Sequence, residues 1–251
     1  MGGAGGADAG DPERGSGLGD RVFRIEARVG ASPQDVSAAL ARFGAGTRDR
    51  WLVPSASGAH LVLSTDRLSC SLGECLAIAP SDLSSLSLVT PGGAEVSLEG
   101  TPAVSDDGAT VVFPSQDGPH EVDLWVSRKS GASWGAATLL TGASAAAYNN
   151  MPAFTFDRRS VLFDCGAQPY PESGGNDACR VSLEGTGLEV LVRPTTLPAA
   201  RQDFVQFPHD SVDGVLFQSA WPIGAESPET IWLLPKGGGA PSASASTGCW
   251  R

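Results

Sequence analysis

Met151-Pro152-Ala153-Phe154-Thr155-Phe156-Asp157-Arg158-Arg159-Ser160-Val161-Leu162-Phe163 repeats the layout of Thr101-Pro102-Ala103-Val104-Ser105-Asp106-Asp107-Gly108-Ala109-Thr110-Val111-Val112-Phe113. In both stretches a Pro precedes a short apolar run, a polar turn follows, and a strongly apolar run ends on Phe. A turn rich in Gly and Asp tolerates positive φ and reverses the chain. Val-Val-Phe and Val-Leu-Phe are the β-forming runs expected of an inner strand buried on both faces.

The same layout extends in both directions. An earlier copy starts at Leu52, turns at Ser55-Ala56-Ser57-Gly58 and ends Leu61-Val62-Leu63. A later copy starts at Gln206, turns at Val212-Asp213-Gly214 and ends Val215-Leu216-Phe217. The anchors Leu52, Pro102, Pro152 and Gln206 are 50, 50 and 54 residues apart. Self-similarity at such a period marks a repeat architecture. A third strand is predicted at 75–79, 123–127, 178–182 and 230–234, and a fourth at 86–89 and 137–140. Four strands in the order a-b-c-d make a blade, and a single blade cannot bury both faces alone. The predicted fold is therefore all-β: a β-propeller of about four four-stranded blades at 48–97, 98–147, 148–202 and 203–239.

Residues 134–163 resemble the WD-like repeat of TolB-type propellers. Trp134, Leu139-Leu140, Asn149-Asn150, the Pro152 to Phe163 segment and Gly174-Gly175-Asn176-Asp177 carry the likeness. The second repeat matches with Ser105, Asp107 and Gly108 in register. The third has Arg158-Arg159 where the family has Asp-Gly, the fourth has no Pro at its anchor, and the first matches mainly by spacing. The resemblance covers residues 48–236. It implies a non-enzymatic interaction scaffold of the cell envelope or the extracellular space.

Outside the repeats, 21–28 alternates apolar and polar and reads as one strand. Ser32-Pro33-Gln34-Asp35 reads as a helix start, Ser at the N-cap and Pro at the first turn. Val36, Ala39, Leu40 and Phe43 then share one face up to Gly44. This short helix is expected to cap a blade or lie between two. Residues 1–19 form an expected flexible tether without an apolar signal-peptide core. Residues 240–251 form an expected disordered tail, which leaves the fourth repeat without its fourth strand and suggests a shortened propeller.

Composition excludes some partners. Net charge is −11, which repels phosphate backbones, so nucleic acid is not expected. No apolar run approaches the ~18 residues of a membrane-spanning helix. Cys70 and Cys75, and Cys165 and Cys179, flank the b–c loop of the first and third repeats. That recurrence favours two disulfides over free thiols or a metal site, the longer closure stabilising by about 3 kcal/mol. Disulfides favour an exported protein: periplasmic, lipid-anchored at the outer membrane, or secreted.

No catalytic constellation emerges. His60, His120 and His209 fall at three different heights of a blade, so neither a metal site nor another cofactor is expected. No Gly-x-Ser-x-Gly elbow is present, and Asp106 and Asp107 occupy turn positions that favour Asp structurally. The b–c and blade-to-blade loops share one face, where binding residues concentrate. Tyr148, Asn149, Asn150, Tyr170, Arg201, Asp203 and Trp221 are the candidates there, either as a surface for a protein or glycan or as loops that cover the channel. A carbohydrate- or polyuronate-processing enzyme and a truncated propeller without activity are the alternatives to a scaffold.

Overall fold

The computed structural model describes residues 23–24, 32, 34–45, 48–166, 176–193, 204–220 and 230–243. The chain opens with a two-stranded hairpin, β1 (Phe23–Arg24) and β2 (Gln34–Asp35), followed by helix α1 (Ser37–Ala41). Four antiparallel sheets follow, each meandering in chain order. Blade one is β3 (Asp49–Pro54), β4 (His60–Thr65), β5 (Cys75–Pro80) and β6 (Ser87–Leu88). Blade two is β7 (Ala103–Val104), β8 (Thr110–Ser115) and β9 (Asp123–Ser130), with β10 (Ser133–Trp134) and β11 (Thr138–Leu139) sharing the outer edge of β9. Blade three is β12 (Tyr148–Phe154), β13 (Ser160–Gly166), β14 (Asp177–Ser182) and β15 (Glu189–Val192). Blade four is β16 (Phe204–Asp210), β17 (Gly214–Ala220), β18 (Thr230–Pro235) and β19 (Ser242–Ala243).

The architecture is the predicted one, a four-blade β-propeller. The second strands β4, β8 and β13 are buried on both faces almost throughout, as their apolar runs require. Alternate residues serve alternate seams. Val62, Leu76 and Ile78 of blade one meet Val111, Phe113 and Trp134 of blade two. Val112, Leu124 and Val126 meet Val161, Phe163 and Val181 of blade three. Ala178 and Val192 then meet Phe217 and Trp232 of blade four. The face of blade one turned away from blade two, Leu63, Ala77 and Ala79, is covered by Leu40 of α1 with Val36, Ala39 and Phe43 alongside. The helix is thus a cap.

Several local expectations differ from what is observed. Gln34–Asp35 pairs as a strand with Phe23–Arg24 instead of starting the helix, and the helix begins at Ser37, whose N–H donates to Asp35 Oδ1 at 2.9 Å. Ordinary strand pairing outweighs the Ser-Pro start signal there. The fourth repeat does gain its fourth strand: Ser242–Ala243, within the expected disordered tail, pairs with Trp232 and Leu233 of β18. Blade three gains β15, which the pattern did not reveal. These outer strands are short, and β15 buries only Val192, so they carry little apolar signal.

Register also corrects two apparent departures from the repeat. Ala153 opposes Leu162 in blade three, and His209 opposes Leu216 in blade four. Pro208 therefore occupies the place of Pro152, and blade four keeps its proline. The Gln206 alignment erred because the a–b turn of blade four is two residues shorter. In blade three, Asp157 occupies the place of Asp107: Thr155 Oγ1 donates to Asp157 Oδ1 at 2.7 Å, as Ser105 Oγ does to Asp107 Oδ1 at 2.5 Å. Only the glycine is replaced, and Arg158 adopts the left-handed φ of 59° where Gly108 has 66°.

These a–b turns tie neighbouring blades together. Ser57 N–H donates to Asp106 Oδ1 at 2.6 Å, Arg158 pairs with Asp106 Oδ2 at 3.0 Å, and Phe156 N–H donates to Asp210 Oδ2 at 2.8 Å. The Ser57 N–H and hydroxyl hold the Asp106 carboxyl below the usual range, with Arg158 adding to the effect.

Candidate functional site

The first strand of blades one, three and four begins on the loop face and carries a bulge. In blade one the register breaks between Arg50 and Val53, in blade three between Asn150 and Ala153. At the bulge Trp51 and Met151 both take φ of 52°. A side chain in this left-handed region costs about 1–2 kcal/mol, and a bulge re-aims the residue that carries it. Trp51 emerges with 45% of its surface exposed.

A cleft of about 390 Å³ opens beside it, lined by Arg48, Arg50, Trp51, Leu72, Glu74 and Glu99, among others. Its outer wall is the b–c loop of blade one. The Cys70–Cys75 disulfide closes that loop, with Cα atoms 6.2 Å apart. Ser71 fixes the loop to the next connection by donating N–H and Oγ–H to Glu95 Oε2 at 2.7 and 2.6 Å. Those bonds lower the Glu95 carboxyl below its ordinary range. Glu74 accepts from Ser64 Oγ at 3.1 Å and lies 3.6 Å from Arg48. Leu72 projects with 53% exposure.

Beneath the cleft, Asp49 anchors the strand from within. Its buried carboxylate takes Arg67 at 2.7 Å and Thr65 Oγ1 at 2.8 Å, while Arg67 also donates to Gly44 O at 3.1 Å. One residue onward, Arg50 stands exposed. Inward anchor and outward side chain alternate along one strand, as a pleat dictates.

Blade three repeats this arrangement 100 residues later. Asn149 lies at the Asp49 position and is wholly buried. Its Nδ2 donates to Val122 O at 3.1 Å and Ala146 O at 3.3 Å, its Oδ1 accepts from Ser144 Oγ at 2.8 Å, and Asp123 Oδ1 lies 3.5 Å away. The residue joins blades two and three, which removes it from the set of contact residues. Asp123 is itself buried and binds His120 Nδ1 at 2.8 Å and Thr141 Oγ1 at 2.5 Å. Asn150 and Tyr148 are half-buried on the loop face. Asn150 Nδ2 donates to Glu99 O at 3.2 Å. A Cβ on Gly100, at φ 157°, would sit 2.3 Å from Asn150 Oδ1, so only glycine allows this approach. Partial burial and a hydrogen bond with Glu121 push the Tyr148 phenol above its ordinary value.

Tyr148 and Asn150 thus reach the predicted face beside Glu99, next to the cleft. Tyr170, Arg201, Asp203 and Trp221 lie outside the described residues. Arg48, Arg50, Trp51 and Leu72 were not singled out, although the 100-residue offset from Tyr148, Asn150 and Met151 points straight at the first three. Cys165–Cys179 closes the equivalent loop of blade three. The histidines stay apart: His60 Nδ1 meets Asp106 O at 2.9 Å on the turn face, and His120 binds Asp123 on the loop face. Among the described residues, no three of His, Cys, Asp and Glu come together in a metal-holding group. Nor is any helix there long and apolar enough to cross a membrane.

The blades, their seams and the loop face define a β-propeller. Comparison with solved structures refines this: a protein of Agrobacterium tumefaciens assigned as TolB superposes with a TM-score of 0.61 at 20% identity, covering 89% of this chain and 73% of its own. The fold is that of a TolB-type propeller. TolB from Acinetobacter baumannii matches at 0.43 and 13% identity, over 76% of this chain and 44% of its own. A prolyl endopeptidase matches at 0.49 and 17%, over 82% and 31%. No family model matches the sequence, and no curated protein does.

Proposed function

We propose that the chain is a non-enzymatic, TolB-like scaffold that binds a partner protein on its loop face, in the cell envelope or outside the cell. The carrying observation is the Trp51 cleft. An exposed indole beside Arg48 and Arg50, over a disulfide-closed wall bearing Leu72, supplies the aromatic and arginine anchors that dominate protein interfaces. The strand beneath is fixed by the Asp49–Arg67 pair, which lowers the backbone ordering cost at binding. The two disulfides favour an oxidising compartment. A glycan is the second occupant such a face suits.

The test is crosslinking and recovery from an envelope extract with the purified chain and its Trp51→Ala variant. A protein captured by the native chain and lost by at least tenfold with the variant supports the reading. An identical set of captured proteins, or turnover of a polyuronate by the purified chain, overturns it.

A further inference from the structure

Among the described residues, the seam of blades three and four is built on Ala178, Val192, Phe217 and Trp232. On its turn face a wedge of about 600 Å³ opens. That volume lies within the range of ligand pockets. Its floor is apolar: Leu162 and Leu191 from blade three, Val215 and Leu234 from blade four. Its rim is charged and aromatic. Phe156, 54% exposed, stands beside Asp157, Asp210 and Lys236.

The rim groups keep bonding capacity. Among the described residues, hydrogen bonds reach Oδ1 alone of Asp157 and Oδ2 alone of Asp210. Arg180 is neutralised by Glu189, and Lys236 has no ion pair among the described residues.

We propose that this wedge is a second docking site, taking a short apolar peptide segment of a partner protein. Charge complementarity selects that occupant. The rim offers spare carboxylate oxygens together with an ammonium, so a lone anion or a lone cation satisfies only half of it. A peptide carries N–H donors for Asp157 and Asp210 and a carbonyl acceptor for Lys236. An apolar side chain fills the floor. The site faces away from the Trp51 cleft, so the chain binds through two independent surfaces.

A phage-displayed random heptapeptide library panned on the full chain tests this. Enriched peptides are synthesised and titrated by fluorescence anisotropy against the native chain and Leu191→Arg, Lys236→Glu and Trp51→Ala variants. The expected result is enrichment of peptides with a shared apolar residue. Their affinity falls at least tenfold with Leu191→Arg and threefold or more with Lys236→Glu, and is unchanged with Trp51→Ala. Lys236 is exposed, so its variant carries the test if Leu191→Arg does not fold. Three results overturn the proposal: no enrichment, peptides indifferent to the Lys236 change, or peptides lost only with Trp51→Ala. The last of these leaves the loop-face reading standing, and a failure of that reading leaves this one untouched.

Discussion

Replacing Asn149 by Asp separates a structural role from a ligand-binding one. In the folded chain Asn149 Nδ2 faces three oxygens: Val122 O at 3.1 Å, Ala146 O at 3.3 Å and Asp123 Oδ1 at 3.5 Å. Aspartate places an oxygen where that donor stood and a second negative charge beside a buried carboxylate. Two unit charges 3.5 Å apart repel by about 5 kcal/mol at an effective dielectric of 20. Proton uptake limits the penalty. Protonating an aspartate of ordinary pKa at pH 7 costs about 4 kcal/mol, so the variant loses roughly 3–4 kcal/mol there. The new carboxyl has a folded pKa raised above its unfolded one, so its penalty is present at high pH and fades as pH falls toward the unfolded value. At pH 5 the limit shrinks to about 1.5 kcal/mol. Urea unfolding followed by tryptophan fluorescence at both pH values measures this. Native stability at pH 7, or the same deficit at pH 5 and pH 7, refutes the reasoning.

Three other outcomes follow from named contacts. Arg158→Gly relieves a left-handed side chain at φ 59° and gives up an exposed ion pair with Asp106, so thermal unfolding shows a net gain of about 0.5–1 kcal/mol. Arg67→Met leaves the buried Asp49 carboxylate without its guanidinium and lowers stability by about 3–5 kcal/mol in denaturant titration. The hydroxyls of Ser105 and Thr155 and nearby backbone N–H groups hold Asp107 and Asp157 below the ordinary carboxyl value. Their contribution is therefore complete above the unfolded pKa near 3.8 and is lost as pH falls through the lower folded values; Ser105→Ala with Thr155→Val flattens that acid limb of the stability profile.

What could be read from the chain follows burial. Inner strands such as Val111-Val112-Phe113 announce themselves because both faces are covered and every position is apolar. The outer strands β15 and β19 do not, since a run of two to four residues is too short to carry a periodic signal. The Pro208 alignment was hidden by a turn two residues shorter, which sequence spacing absorbs into a false anchor at Gln206. At the site, Asn149 looked like a surface amide because nothing local says which pleat face it occupies. Only its pairing opposite Cys165 settles that it points inward. Trp51 was invisible as an exposed anchor because a lone tryptophan usually enters a core, and the bulge that turns it outward appears only in the strand register.

Hydrogen–deuterium exchange over the whole chain tests the central claim most directly, that four blades pack seam to seam into one propeller. The account predicts the slowest amides in β4, β8, β13 and β17 and their partners β5, β9, β14 and β18, with the four blades opening together in denaturant. Rapid exchange throughout β17 and β18 while blades one to three stay protected would contradict it.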